Sequence, residues 1–353
     1  MGSEVAGLSV GAGFSPRIHP RPQYPSLIRT ILAAFKEMFY QSGTVGLMLT
    51  VMLFPYFQST VLLLRTQLGD AGSDRVVFSI IANSVHFCAY LFINGSFGIF
   101  DYFGFFQEYK LSRKPYMKPS KTLLINTLMQ AAFGQIIINP VVLYYVYPSL
   151  ISLGMYPLDA PLPDSATIFF TYCIAYLING VGFYWAHRLF HAKALYAYFH
   201  KQHHEFTGSM GIAAEYANPV EQIFANLLPT LGGVIFRGTH PLIFCIWLVR
   251  RHKCIVVVYV TKMNCSQFLH LQQTYETHSG YCFKGTILDK IGLAHADGAA
   301  HHDYHHAVNT GNFGTEWMDW LFGTEDGFVA GGMHDGYVAK KNKSSNYLHN
   351  KSI

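Results

Sequence analysis

Charge is what this chain has least of. Asp, Glu, Lys and Arg make up only 13% of its 353 residues, while 51% are hydrophobic. That is about half the charge of an ordinary soluble domain, and it points to a chain whose solvent is largely lipid. The net charge of +5 comes without any polybasic tract, so nucleic acid is not an expected partner. None of the six cysteines forms a CxxC pair. Most sit in apolar surroundings, as Cys88, Cys173 and Cys245 do, and read as reduced filler. The N-terminal stretch has no basic region followed by a sustained apolar run, which argues against a signal peptide. Ala6 breaks the myristoylation pattern. The expectation for residues 1–43 is an N-terminal arm.

Long uncharged runs are abundant. Four stretches, 44–64, 76–100, 122–146 and 166–186, can each cross about 30 Å of hydrocarbon as a helix. The connection 101–121 carries Lys110, Arg113, Lys114, Lys118 and Lys121, whereas 147–165 carries no Lys or Arg. By the positive-inside rule the first is cytosolic and the second lumenal, which leaves the N-terminal arm and everything after 186 in the cytosol. A fifth apolar region, 219–249, is interrupted by Pro229, Gly232, Gly233, Arg237, Gly238 and Pro241. It reads as a re-entrant helical hairpin, because broken helices persist at membrane depth only when buried in protein. The expected fold is an all-α integral membrane protein. Transmembrane helices occupy 44–186, a histidine-rich cytosolic helical cap 187–327, and a C-terminal tail 328–353.

Histidine is the residue this chain concentrates. Past the fourth span runs WAHRLFHAKALYAYFHKQHHEF. If the helix continues, His187 and His191 share one face, and His200, His203 and His204, spaced i, i+3, i+4, share another. HHDYHH supplies His301, His302, His305 and His306, and ETHSGY adds His278. So many imidazoles exceed the about four to six donors one ion takes, and two ions are implied. A soluble zinc site would bring cysteines or an HExxH helix, and neither is present. All-histidine sets with open positions suit iron handling dioxygen, and two irons give an oxidant strong enough for an unactivated C–H bond. The bland alternatives are a surface patch or a pH sensor. Isolated His19, His86, His240, His334 and His349 are read as structural.

Taken together, HRLFH, HKQHHEF, AAEYANPVE, ETHSGY, HHDYHHAVNTGNFG and WMDWLFGT resemble the fatty acid hydroxylase superfamily over about residues 95 to 327. FGFFQEYKLSRKPY and THSGY bring the chain nearest to the 4-methylsterol oxidases within it. The resemblance implies a multi-pass enzyme of the endoplasmic reticulum membrane with a non-haem di-iron centre facing the cytosol. Such an enzyme uses dioxygen and electrons from NAD(P)H, relayed by cytochrome b5 and its reductase. It oxidises a methyl group on sterol carbon 4 through alcohol and aldehyde to acid. Carried over residue by residue, the implied ligands are His187, His191, His200, His203, His204, His302, His305 and His306, with His278 and His301 as further ligands. Sterol desaturases, lipid hydroxylases and aldehyde-forming wax enzymes share the same boxes. A membrane protein that binds metal without catalysis is the alternative outside that chemistry.

Two departures from the family pattern stand out. Asn218 occupies the position before the proline where relatives commonly have His, and its amide is expected to hydrogen-bond a ligand and tune it. Residues 251–272, RHKCIVVVYVTKMNCSQFLHLQ, separate two segments that the family joins almost directly. They contain a β-like run and no family motif. They read as a translated intron or gene-model error, FLHLQ being what a pyrimidine-rich tract ending in CAG encodes, with a lineage-specific loop as the alternative. A genuine insert is expected to displace His278. His252 and His270 are left out of the ligand set. Glu205, Glu215, Tyr216 and Asp303 adjoin the boxes and receive no catalytic role.

Overall fold

The structure of the protein, a computed structural model, describes residues 27–111, 118–235, 239–250, 252–256, 269–290, 294 and 297–333. Four helices are long and apolar enough to cross a membrane: α1 (Leu27–Ala71), α2 (Asp74–Phe103), α3 (Lys121–Ser152) and α4 (Ser165–Phe190). Each contains one of the expected spans, and by these helices the chain is a multi-pass membrane protein. Local signals set their limits. The Ser120 hydroxyl accepts the Leu123 amide at 3.1 Å, and the Asp164 carboxylate accepts the Thr167 amide at 2.9 Å, so each start has a capped donor. α2 stops where Gly104 turns left-handed at φ 71°. α1 begins well before residue 44 because LIRTILAAF is itself rich in helix formers.

The bundle is apolar outside as well as inside, as lipid requires. Leu62 and Met129 are each 67% exposed, while Phe78, Leu150, Ile168 and Tyr172 form the interior. Several polar atoms within it are paired. The Thr50 and Tyr172 hydroxyls lie 2.8 Å apart, and Ser79 donates to the Pro140 carbonyl at 2.7 Å. His86 pairs with Gln135 at 2.9 Å, the satisfied core role expected of it. Such contacts are worth about 0.6 kcal/mol each in a membrane protein.

The fifth apolar region folds as two helices. α5 (residues 219–235) passes through a π turn at Gln222–Leu227 and packs on α4; α6 (Pro241–Arg250) packs on α1 and α2. Leu242 through Trp247 are all buried in protein. Between the two helices His240 acts as a cap: Nδ1 accepts the Leu242 amide and Nε2 donates to the Ala160 carbonyl, both at 3.1 Å.

Two short antiparallel strands follow, β1 (His252–Val256) and β2 (Leu269–Gln272), with Lys253 opposite Gln272 and Val256 opposite Leu269. They depart from the all-helical expectation. Their pairing brings the two ends of the 251–272 segment side by side, so the chain leaves α6 and enters α7 (Gln273–Ser279) almost as though nothing intervened.

The cap is completed by α8 (Gly298–Val308) and α9 (Glu316–Phe322). The N-terminal turns of α1 pack against α9. The connection after α2 docks on the cap as well. Leu111 donates its amide to the Gly280 carbonyl at 2.9 Å, Cys282 to Tyr109 at 2.8 Å, and the Tyr281 hydroxyl to Asp101 at 2.7 Å. The Lys-rich connection and the histidine cap therefore share one end of the bundle.

Candidate metal centre

The helix of the fourth span does not run on through the second box. α4 ends at Phe190 with His191 as its cap, and a π turn at Tyr196–His200 and a 3-10 turn at His203–Glu205 follow. The single face expected for His200, His203 and His204 is thereby split. His187, His191, His200, His204 and His305 form one group, and His203, His278, His302 and His306 a second; within each, the candidate ligand nitrogens lie within 4.8 Å of one another. On α8 the i, i+4 pair His302 and His306 turns to the second group, while His305 turns to the first. His301, expected as a ligand, belongs to neither: its Nε2 lies 3.7 Å from Asp319, and its ring stands edge-on to Phe328 at 5.4 Å. His278 is not displaced by the preceding segment, since its Nε2 is 2.8 Å from that of His302. The closed strand pair accounts for this.

The spacing of these nitrogens fits a metal ion. Two donors about 2.1 Å from one ion and at right angles lie about 3.0 Å apart. The Nε2 of His200 stands 3.0 Å from that of His187, 2.9 Å from that of His191 and 3.0 Å from that of His204. In the second group the Nε2 of His302 stands 2.8 Å from that of His278 and 3.1 Å from that of His306. Hydrogen bonding cannot account for all of these contacts. The Nδ1 atoms of His187, His278, His305 and His306 donate to the carbonyls of Phe313, Thr274, Gly311 and Phe206 at 2.6, 2.7, 2.6 and 2.8 Å. A neutral imidazole with its proton on Nδ1 offers only a lone pair at Nε2. His302 faces two such lone pairs with at most one proton to share, so a cation between them is what the donor set fits. The same carbonyls fix ring orientation and raise ligand basicity.

Burial keeps the rings neutral and so available as ligands. It pushes His203 down to about 4, His278 to about 3 and His191 to about 2. His200, His204, His302, His305 and His306 are lowered by the same cause, helped by their neighbouring imidazoles.

Several supporting residues carry no signal in the sequence. Asp319, fully buried, accepts the Phe313 and Gly314 amides at 2.8 Å each and the Thr324 hydroxyl at 2.6 Å. It thus holds the turn whose Phe313 carbonyl orients His187. Burial lifts this carboxyl to about 6 against the pull of those hydrogen bonds. Glu221 places a carboxylate oxygen 2.9 Å from the Nδ1 of His200, and burial raises its carboxyl well above the usual range. Asn218, expected to touch a ligand, instead caps α5 by accepting the Val220 amide at 2.9 Å, and its NH2 reaches the Tyr198 carbonyl at 3.4 Å. Pro219 at the first helical position commits the side chain before it to capping. Asp303 accepts the Ser209 amide at 2.8 Å, Tyr275 donates to Glu215, and Tyr216 to Glu205 at 3.4 Å.

Proteins of known name are similar to this chain over most of the region just described. The fatty acid hydroxylase family model matches residues 172–324. Methylsterol monooxygenase 2-2 of Arabidopsis thaliana is 30% identical over 233 residues, 64% of this chain and 77% of that protein. Methylsterol monooxygenase 2-1 of the same organism is 28% identical over 240 residues, 64% of this chain and 79% of that protein. A very-long-chain aldehyde decarbonylase of Oryza sativa subsp. indica is 29% identical over 232 residues, 64% and 77%. No solved structure matches the chain. With its two buried histidine groups at the end of four membrane-length helices, the chain belongs to the fatty acid hydroxylase family.

Proposed function

We propose that this chain is a non-haem di-iron monooxygenase that oxidises a methyl group on carbon 4 of a sterol precursor. The observation that carries the reading is the pair of all-histidine Nε2 clusters, one of five rings and one of four. Cysteine-free imidazole sets with room for further donors suit iron, and a pair of irons activates dioxygen for attack on an unactivated C–H bond. The protein's part is to hold the neutral rings with their lone pairs inward and to keep their Nδ1 protons on backbone carbonyls.

Sterol as substrate is supported by relatives named methylsterol monooxygenase and by the FGFFQEYKLSRKPY and THSGY stretches, whose Tyr109–Leu111 and Gly280–Cys282 segments pair backbone to backbone. The Lys-rich connection at the same end of the bundle favours a site facing the cytosol. There NAD(P)H-derived electrons arrive through cytochrome b5 and its reductase, and we place the enzyme in the endoplasmic reticulum membrane. Residues 219–249 sit as a re-entrant hairpin, and 187–327 form the catalytic cap.

The test is complementation of a host lacking 4-methylsterol oxidase, with metal analysis of the purified chain and identification of the oxidised product. Two iron ions per chain and a carbon-4 oxidised sterol are expected. A desaturated sterol, a hydroxylated acyl chain or a product made from a fatty aldehyde would replace the substrate assignment. Metal binding without oxygen consumption, given reductant and lipid, would end the enzymatic reading.

A further inference from the structure

α1 is longer than a membrane needs. Its 45 residues rise about 67 Å, against about 30 Å of hydrocarbon. Toward its far end Arg65 is held by Asp74 at 2.6 Å, and a span of about 20 residues ending there starts near Val45. Residues 27–44 are therefore surplus, and they lie on the cap side. The Tyr176 hydroxyl of α4 donates to Glu37 at 2.6 Å and the Cys173 thiol to the Met38 carbonyl at 3.4 Å, so α1 and α4 run antiparallel. α1 climbs about 15 Å from Glu37 back to Leu27, and α4 about 16 Å from Tyr176 on to His187. The first turns of α1 thus stand level with His187. They also pack on α9, whose Phe322 ring meets Tyr184 and Trp185 of α4 at 5.4 and 5.0 Å.

This segment has three faces. Thr30 and Ala34, four apart, are half-buried, and that narrow face of small side chains turns inward. Leu27, Ile28, Ile31, Leu32 and Phe35 are between 43% and 69% exposed and share an arc about 140° wide. Arg29 and Lys36, seven apart and both exposed, line up along one edge of that arc. The first acid, Glu37, is bound to Tyr176. An apolar arc bordered by cations is the pattern of a helix seated between headgroups and acyl chains. At the same height Trp185, 47% exposed, carries Arg188 over its ring at 5.6 Å, an aromatic and a cation of the kind found at headgroup level.

We infer that residues 27–36 are an anchor that binds anionic phospholipid of the cap-side leaflet, its phosphate on Arg29 and Lys36 and its acyl chains along the apolar arc. Charge complementarity singles out this occupant, as does continuity with the lipid-facing side of α1, where Met48, Val51 and Met52 are also exposed. The anchor brings the headgroup boundary to the height of His187, and it does not depend on the proposed activity.

The test places the photo-reactive residue benzoylphenylalanine at Ile28 of the full chain, in nanodiscs of phosphatidylcholine with a minority of phosphatidylserine, and identifies the crosslinked adducts by mass. Lipid adducts are expected, with phosphatidylserine enriched about fivefold over its share of the bilayer at low salt and less at high salt. Arg29→Gln combined with Lys36→Gln abolishes the enrichment while lipid adducts and thermal unfolding persist. Arg29→Lys combined with Lys36→Arg retains it. Adducts in simple proportion to the bilayer, or an enrichment that survives the double glutamine variant, overturn the inference. So do crosslinks to a second copy of the chain, or to the chain's own cap, in place of lipid.

Discussion

The two histidine groups are made from the same residue type and sit ring against ring, His204 and His306 being 4.8 Å apart at their centroids, yet they are built differently. The five-ring group draws on the end of α4, the turns after it and His305, and its carbonyl partners come from the tight 311–313 turn clasped by Asp319. The four-ring group draws on α7 and α8 plus one residue of the second box, and its His278 and His302 line a small cleft. An ion held by the first group would have five imidazole donors, and one held by the second four. Each group is buried but for one partly exposed ring, His191 in the first and His302 in the second, so the two differ in what supports them and in donor number.

Removing a ligand from either side should have the largest effect. His204→Ala or His305→Ala in the five-ring group, and His306→Ala in the four-ring one, are each expected to lower turnover at least about 100-fold and halve the bound iron, with the chain still inserted in membranes. Retained product formation in any of these would strike that residue from the ligand set. Next comes a variant that acts on one group alone. Asp319→Ala strands two amides and a hydroxyl, at a cost of roughly 1–3 kcal/mol for each buried group left unpaired. It should weaken iron at the five-ring group about 10- to 100-fold while the four-ring group stays loaded, as read by metal titration and iron spectroscopy. Equal loss from both groups would erase the distinction drawn here.

Acid offers a smaller, graded probe. Above about pH 6.5 both the folded and unfolded chains hold these rings neutral, so their contribution to stability is fully present. Below it the unfolded chain takes up protons that His203, His278 and His191 refuse until about 4, 3 and 2. The metal-free protein should therefore lose about 1.4 kcal/mol per pH unit for each such ring as pH falls through that window. A thermal-unfolding series flat from pH 7 to 4.5 would contradict the burial described. Least effect is expected from excising residues 254–271. Lys253 and Gln272 are register partners, and partners stand about 4.5–5.5 Å apart against 3.8 Å for neighbours in sequence, so rejoining them asks little of the chain. Activity should change by less than about twofold. A transcript lacking those codons would mark the segment as a retained intron, and peptides containing it would mark it as a genuine loop.

The sequence made the spans and the histidine clusters legible for the same reason: both are dense, uninterrupted signals, twenty-odd apolar residues in one case and clustered imidazoles in the other. Which rings come together in each group was not legible. It depends on α4 ending at Phe190 and on the π and 3-10 turns after it, none of which has a compositional signature strong enough to break the helical period. His301 looked like its neighbours in HHDYHH, but a one-residue step on a helix turns a side chain through about 100°. The carbonyls of Phe206, Thr274, Gly311 and Phe313 were invisible because every residue has one. Asp319 and Glu221 matter through residues far from them in sequence, and no local pattern announces that. The strand pair enclosing the 251–272 segment was half visible, in its β-branched run.

Within the second box, His200 and His204 serve one group and His203, lying between them, the other. A single turn of backbone thus sets the distance between the two sites, and neither can be exchanged, duplicated or lost as a separate cassette. Any graft that moves this turn into another scaffold must transplant both coordination spheres together.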